Sequence, residues 1–219
     1  MTRLTIIAAA SLLLAGCASF SPDGGFGKVS QLTQERTGQG VALQRSPEDA
    51  QIAQNRVAEL LQAALTADAA VEVALLNNRG LQAKFGDLGI AESELVRAGR
   101  LKNPSLSFGR MSGGGGVEIE RTVLFDILGL LTMPMAKEVG QQRFEQAQYQ
   151  AAYDAVSLAA DVRRAYFDAV AAQELAKFYE QVKETADVSN ELAKRMLQAG
   201  NFNKLAQMRE QAFYADATA

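Results

Sequence analysis

The chain has 219 residues, 48% hydrophobic and 21% charged, with no His, no Trp and a single Cys. Those numbers argue against most metal centres, thiol–imidazole catalysis and a disulfide framework, and a net charge of −3 gives no electrostatic case for a nucleic-acid partner. Ala supplies 38 residues and aromatics only 7%. This is an odd balance for a compact globular enzyme, whose core would draw on bulky aromatic side chains.

Met1-Thr2-Arg3 is a short positive start, followed by the apolar run Leu4 to Leu14. The run falls short of the roughly 20 residues of a membrane-spanning helix but fits a secretory signal, so residues 1–16 are expected to be removed. It ends in Leu14-Ala15-Gly16-Cys17, which resembles the lipobox of bacterial lipoproteins. The resemblance implies cleavage before Cys17 and acylation of its thiol and new amino group, because several acyl chains anchor stably where one is marginal. Ala18 rather than Asp follows, which in lipoproteins implies export to the outer membrane, with the mature chain in the periplasm. A plain signal peptide with a chance Cys is the alternative.

Residues 17–46, rich in Ser, Gly, Gln and Thr, are expected to form a lipidated, extended tether. Ser46-Pro47-Glu48-Asp49 has the signature of a helix start, and residues 47–99 read as the first periplasmic helices. Ile52, Val57, Leu60 and Leu61 form one apolar stripe. A second helical stretch is expected over 67–98, through Val71, Leu75, Leu81, Phe85, Leu88, Ile90 and Leu95. It should bend near Gly80, Gly86 and Gly89 and end at Gly99.

Between residues 100 and 134 the period changes from 3.6 to 2. Leu106 and Phe108 alternate with Ser105 and Ser107, and Val117, Ile119 and Val123 alternate with Glu118, Glu120 and Thr122, around the tip Gly113 to Gly116. This predicts a β-hairpin with strands of about the length a tilted strand needs to cross a membrane. Its polar face, with Ser105, Ser107, Glu118, Glu120 and Thr122, is the candidate lumen side of a barrel wall. Arg121 falls on the apolar face, so it should lie at a rim or beside a bulge. A hairpin on a soluble domain fits the same residues.

From Gly140 to Gly200 there are 59 residues without Gly or Pro, which predicts one long helix over about 136–199, roughly 95 Å at 1.5 Å per residue. Ala155, Leu158, Val162, Ala165, Ala169, Ala172, Ala176 and Tyr179 form one heptad seam, and Phe167, Ala171, Leu175, Phe178, Val182, Leu192 and Met196 a second. Gly200 and Asn201 end the helix, and a return helix over Leu205 to Ala217 makes residues 199–203 a hairpin tip.

Helix, β-hairpin, very long helix, tip and returning helix resemble the half-repeat of the TolC-like outer-membrane efflux proteins. The likeness covers about 65–219. It rests on Leu65-Thr66-Ala67-Asp68 with Ala74-Leu75-Leu76-Asn77-Asn78, on Leu88-Gly89-Ile90-Ala91-Glu92 through Asn103-Pro104-Ser105, on Arg164-Ala165-Tyr166-Phe167, and on Arg195-Met196-Leu197-Gln198-Ala199-Gly200-Asn201. With the lipobox it points to lipoprotein members. The implied fold class is mainly α with a β-hairpin: long antiparallel coiled-coil helices of an α-barrel wall plus two strands of a transmembrane β-barrel.

The resemblance implies an outer-membrane channel subunit of a tripartite efflux system, neither an enzyme nor the holder of a cofactor or metal. Its implied partners are outer-membrane lipid, a periplasmic adaptor protein, an inner-membrane pump and further copies of the chain, a trimer if full length. Gly200, Asn201, Asn203 and Leu205 would form the periplasmic tip or gate. Asn203 stands where the family often has a hydroxyl, and Ala206 where it has an Asp, so that carboxylate is missing. The family carries two such repeats; this chain supplies one and ends early in the returning helix of 135–219. It is therefore read as an N-terminal fragment, with a six-copy assembly as the alternative. A structural or adhesive coiled-coil lipoprotein that forms no pore is the competing function.

Sharper readings of single clusters are weaker. Glu118, Glu120 and Asp126 could act as acid/base groups on one strand face, but no nucleophile accompanies them. Gly113 to Gly116 lacks the Lys-Ser/Thr of a phosphate loop. Arg163-Arg164 and Lys194-Arg195 read as solvated helix faces or intersubunit pairs. Tyr166, Phe167, Phe178 and Tyr179 read as packing residues between helices.

Overall fold

The computed structural model describes residues 19–113 and 116–219. The signal segment, Cys17, Gly114 and Gly115 lie outside the described residues. The fold is mainly helical with one two-stranded antiparallel sheet, and the chain divides into two compact units, Met1–Ala160 and Asp161–Ala219. In order, the elements are α1 (Phe26–Thr37), α2 (Pro47–Leu60), α3 (Ala67–Asn77), α4 (Arg79–Ala98), β1 (Ser105–Gly113), β2 (Gly116–Leu124), α5 (Ile127–Gln198) and α6 (Lys204–Thr218).

The expected tether of 17–46 is not extended throughout: it contains α1, a docked helix. Val29 and Thr33 are fully buried. The Phe26 ring meets Phe85 edge-on at 5.0 Å between centroids, and Gln148 Nε2 donates to the Gly25 carbonyl at 2.9 Å. The polar composition misleads because the threonines satisfy themselves: Thr33 Oγ1 donates to the Val29 carbonyl and Thr37 Oγ1 to the Thr33 carbonyl, each at 2.8 Å, so their hydroxyls enter the interior already bonded. The lead-in is held as well. The Ser21 backbone N–H and hydroxyl both donate to Glu92, which is buried, and Arg45 donates to the Asp23 carbonyl. The Asp23 carboxylate accepts from Gly27 N at 2.8 Å and Gly25 N at 3.1 Å, and these bonds hold it below its ordinary pKa.

Gly25 is required here. Its φ is +72°, and a Cβ would stand 2.3 Å from Phe144 Cζ and 2.6 Å from Gln148 Nε2. Gly25→Ala should cost roughly 2–5 kcal/mol, combining the left-handed backbone with overpacking, and should free α1 from α5. Gly38 has the same backbone hand (φ +74°) but nothing within 4 Å of an added Cβ, so Gly38→Ala should bear only the backbone part. Thermal unfolding of the two variants checks this, and equal losses would show that the Phe144 contact is irrelevant.

At α2, Ser46 accepts from Asp49 N at 3.1 Å, Asp49 accepts from Ser46 N at 3.1 Å, and Pro47 takes the first helical position. That is the expected start in full. The apolar stripe is not what α2 buries: Ile52 and Leu61 are exposed, and Ala53 is the buried position. Arg56 bridges to Glu72 of α3 at 2.7 Å.

The expected single helix over 67–98 is two helices, and the break falls at Asn78 rather than at a glycine. Asn78 has ψ 110°, and its Oδ1 accepts from Leu81 N at 2.9 Å. A short amide side chain offers the backbone this alternative to helix continuation. Gly80, Gly86 and Gly89 all stay within α4, and Gly99 follows its end as expected. Leu81, Phe85, Leu88 and Val96 are buried, whereas Ile90 is exposed.

The α5 helix starts at Ile127, nine residues earlier than expected, and passes through Pro134. The apolar run Ile127-Leu128-Gly129-Leu130-Leu131 carries no clear period, so helix and strand cannot be separated there by pattern. Asp126 decides the matter by accepting from Gly129 N at 2.7 Å as a cap. In the first unit, α5 buries Phe144, Gln148, Ala151, Ala152, Ala155 and Ala159. Gly140 allows close approach to α4, with its position 3.3 Å from Leu95 Cα for an added Cβ.

Candidate functional site

The hairpin lies in the first unit. β1 and β2 pair without interruption from Ser105↔Leu124 to Gly113↔Gly116, and each pairs with no other strand among the described residues. Residues directly opposite share a face. One face therefore carries Ser105, Ser107, Gly109, Glu118, Glu120 and Thr122, together with Met111 and Leu124. The other carries Leu106, Phe108, Ile119 and Val123, with Arg110 and Arg121. All five candidate lumen residues thus share one face, where Thr122 Oγ1 lies 3.3 Å from Glu120 Oε1.

The register is free of a bulge, so the bulge expected beside Arg121 is absent, and Arg121 lies within the paired strands rather than at their end. Arg121 stands opposite Phe108 and Arg110 opposite Ile119, which places the two arginines diagonally on the same face, two residues or about 7 Å apart along the strands. Sequence reading noticed only one of them. Asp126 does not join Glu118 and Glu120 as expected. It lies beyond β2, caps α5, and pairs with Lys102 Nζ at 3.1 Å.

The hairpin's apolar side chains are uncovered. Leu106, Phe108, Ile119 and Val123 are exposed, Phe108 by 69%, and the exposure continues over Phe125, Ile127, Leu128 and Leu131 at the foot. A contiguous apolar surface of this kind marks an interaction site rather than the scatter of single residues every surface has. No described helix is long and apolar enough to cross a membrane, and no described group of three or more His, Cys, Asp and Glu could hold a metal.

The tip lies in the second unit. Gly200 has φ +74°; its N–H donates to the Leu197 carbonyl at 3.1 Å and the Asn201 N–H to the Met196 carbonyl at 2.9 Å. These paired bonds satisfy the last carbonyls of α5 and need a residue tolerant of left-handed backbone. Asn203 then caps α6, its Oδ1 accepting from Ala206 N at 2.8 Å. Leu205 is exposed.

Above the tip, Ser189 Oγ donates to Glu210 Oε2 at 2.7 Å, tying α5 to α6. The buried face there is Ala186, Asn190 and Ala193, not the expected Leu192 and Met196: Leu192 is exposed and Met196 half-buried. Small side chains face the partner helix, and the larger ones flank it. The Oδ1 of Asn190 is buried without a partner among the described residues.

Between residues 163 and 181 nothing is buried. Phe167, Leu175, Phe178 and Tyr179 of the expected seams are exposed, so no element described in this chain covers that part of the seams. Tyr166 meets Phe167, and Phe178 meets Tyr179, each pair edge-on. Arg164 pairs with Asp161, and Arg195 with Glu191, along the same helix, so these cations sit on solvated faces. Comparison with known proteins returned no matching family model, no matching curated protein and no matching solved structure.

Proposed function

We propose that the chain is an outer-membrane channel subunit of a tripartite efflux system and a passive conduit for exported small molecules or ions. The observation that carries this reading is the hairpin: two nine-residue strands with an uncovered apolar face, paired only with each other among the described residues, leading straight into a 72-residue helix. In water a lone hairpin is marginal. In a bilayer its two free edges must find partners, because hydrocarbon offers none to backbone N–H and C=O groups. Closure with further hairpins into a barrel meets that requirement.

The charges support the same placement. Lys102 and Arg110 are separated by eight residues of β1 and its lead-in, at most about 27 Å of chain, which is close to the apolar band of outer-membrane barrels, roughly 25 Å tall. Arg121, opposite Phe108, lies inside that span. Leu106 and Phe108 lie between Lys102 and Arg110. In this reading Ser105, Ser107, Glu118, Glu120 and Thr122 line the water-filled side, and the Gly200–Leu205 turn is the periplasmic gate. Cys17 carries the lipid anchor in the outer membrane. The adaptor protein, the inner-membrane pump and the trimeric assembly of a full-length protomer follow from the family resemblance.

Planar-bilayer recording of the purified, detergent-extracted protein tests the proposal. Stable, discrete conductance steps are expected. A monomeric, helix-rich protein that conducts nothing would overturn it in favour of the pore-free coiled-coil lipoprotein.

A further inference from the structure

We propose that a groove at the foot of the hairpin binds the phosphate of an anionic phospholipid headgroup. The inference rests on the membrane placement of the hairpin and adds to it a site with a stated ligand chemistry. The groove, about 680 Å³, opens where the last turn of α4 meets α5. Arg97 comes from α4, Arg100 and Lys102 from the connection to β1, and Arg143 from α5. Its walls are set by the close approach at Gly140, where an added Cβ would stand 3.3 Å from Leu95 Cα.

Charge and polarity together select the occupant. Four cationic side chains and a single carboxylate, Glu94, line the groove; Lys102 also pairs with Asp126, and Arg97 and Arg143 together exceed the Glu94 charge by one. Met135 and Val139 line the same groove and are exposed. One to two helical turns earlier on α5 lie Leu131 and Leu128 of the uncovered apolar belt. An anionic head beside apolar chains matches a basic groove that runs into an apolar surface, and arginine forks suit phosphate geometry. A free phosphate would use the cations and leave the apolar side bare.

The test uses the full chain with Cys17→Ala, so that no acyl anchor contributes, in neutral detergent. Binding of short-chain phosphatidylglycerol, short-chain phosphatidylcholine and inorganic phosphate is measured by native mass spectrometry and titration. Phosphatidylglycerol should bind most tightly. The double variant Arg97→Gln/Arg143→Gln should weaken it by roughly 30-fold, at about fivefold for each basic side chain beside an anionic headgroup. Arg97→Lys/Arg143→Lys should bind more tightly than the Gln pair but less tightly than the parent, because the charge is kept and the fork is lost, an order that a purely structural role for the arginines would not predict.

Equal affinity for the two lipids, unchanged by the Gln pair, overturns the proposal. So does inorganic phosphate binding as tightly as phosphatidylglycerol, which would make the groove a site for the free anion. Flotation of the same chain on phosphatidylcholine vesicles reads the parent placement separately: loss of flotation sinks the membrane hairpin, whereas flotation without a phosphatidylglycerol preference sinks only the groove.

Discussion

Phe85→Ala should destabilise the first unit by about 3–5 kcal/mol, the cost of a large-to-small change at a filled aromatic site. Phe85 is the largest side chain that is fully buried. Its ring takes the edge-on contact with Phe26 at 5.0 Å, so the truncation removes apolar transfer energy, leaves a cavity, and strips α1 of its main aromatic contact on α4. The loss should appear first in α1, because Phe26 is its aromatic contact with α4; its remaining ties are buried Val29 and Thr33, Lys28 over the Tyr149 ring, the Gly25 carbonyl, and the Ser21–Glu92 and Arg45–Asp23 bonds of its lead-in. Hydrogen exchange of residues 26–37, alongside urea unfolding followed by circular dichroism, separates local from global loss. A decrease below about 1 kcal/mol with unchanged protection in α1 would mean that the site collapses around the smaller side chain and that Phe26 does not hold α1.

Leu106→Arg should reduce partitioning of the hairpin into a bilayer by roughly 30- to 1,000-fold, corresponding to about 2–4 kcal/mol for a cation placed near the middle of a barrel's apolar band. Leu106 is the informative position because it lies midway along the chain between Lys102 and Arg110, on the face that carries Phe108, Ile119 and Val123. Ser107→Arg is the matched control. It is one residue away, on the opposite face with Glu118 and Glu120, and should change partitioning little, because a lumen position stays in water. Vesicle flotation of the Cys17→Ala chain measures both, with circular dichroism verifying that the helices are intact. Equal effects at the two positions would mean that the faces are not distinguished by lipid, and the barrel placement would fall with that result.

The helix starts were legible wherever the signal was local. Ser46-Pro47 and Asn203 each cap a helix through their own side chain, and Gly200 takes the left-handed turn, so the residues that make the structure are the ones that announce it. The hairpin was legible for a similar reason, since alternation over nine residues is enough to place one face against the other. Elements set by contacts between distant residues were not. The α1 helix was hidden by buried threonines bonded to their own backbone, the Asn78 break by the nearby glycines that drew attention instead, and Glu92 by the fact that its partner, Ser21, lies 71 positions away.

The candidate site divides in the same way. The sequence by itself determined the helix over the stretch 141–198 that lacks Gly and Pro, the tip geometry, the two faces of the hairpin and the candidate lipid-bearing Cys17, because each depends on near neighbours or on a short motif. Only the tertiary structure decided that the N-terminal segment is docked, that the pairing carries no bulge, that Arg110 joins Arg121, and that four cations converge at the hairpin's foot. Each of these depends on which side chains meet after the chain has folded back on itself. Long-range packing and register, not local propensity, choose those neighbours.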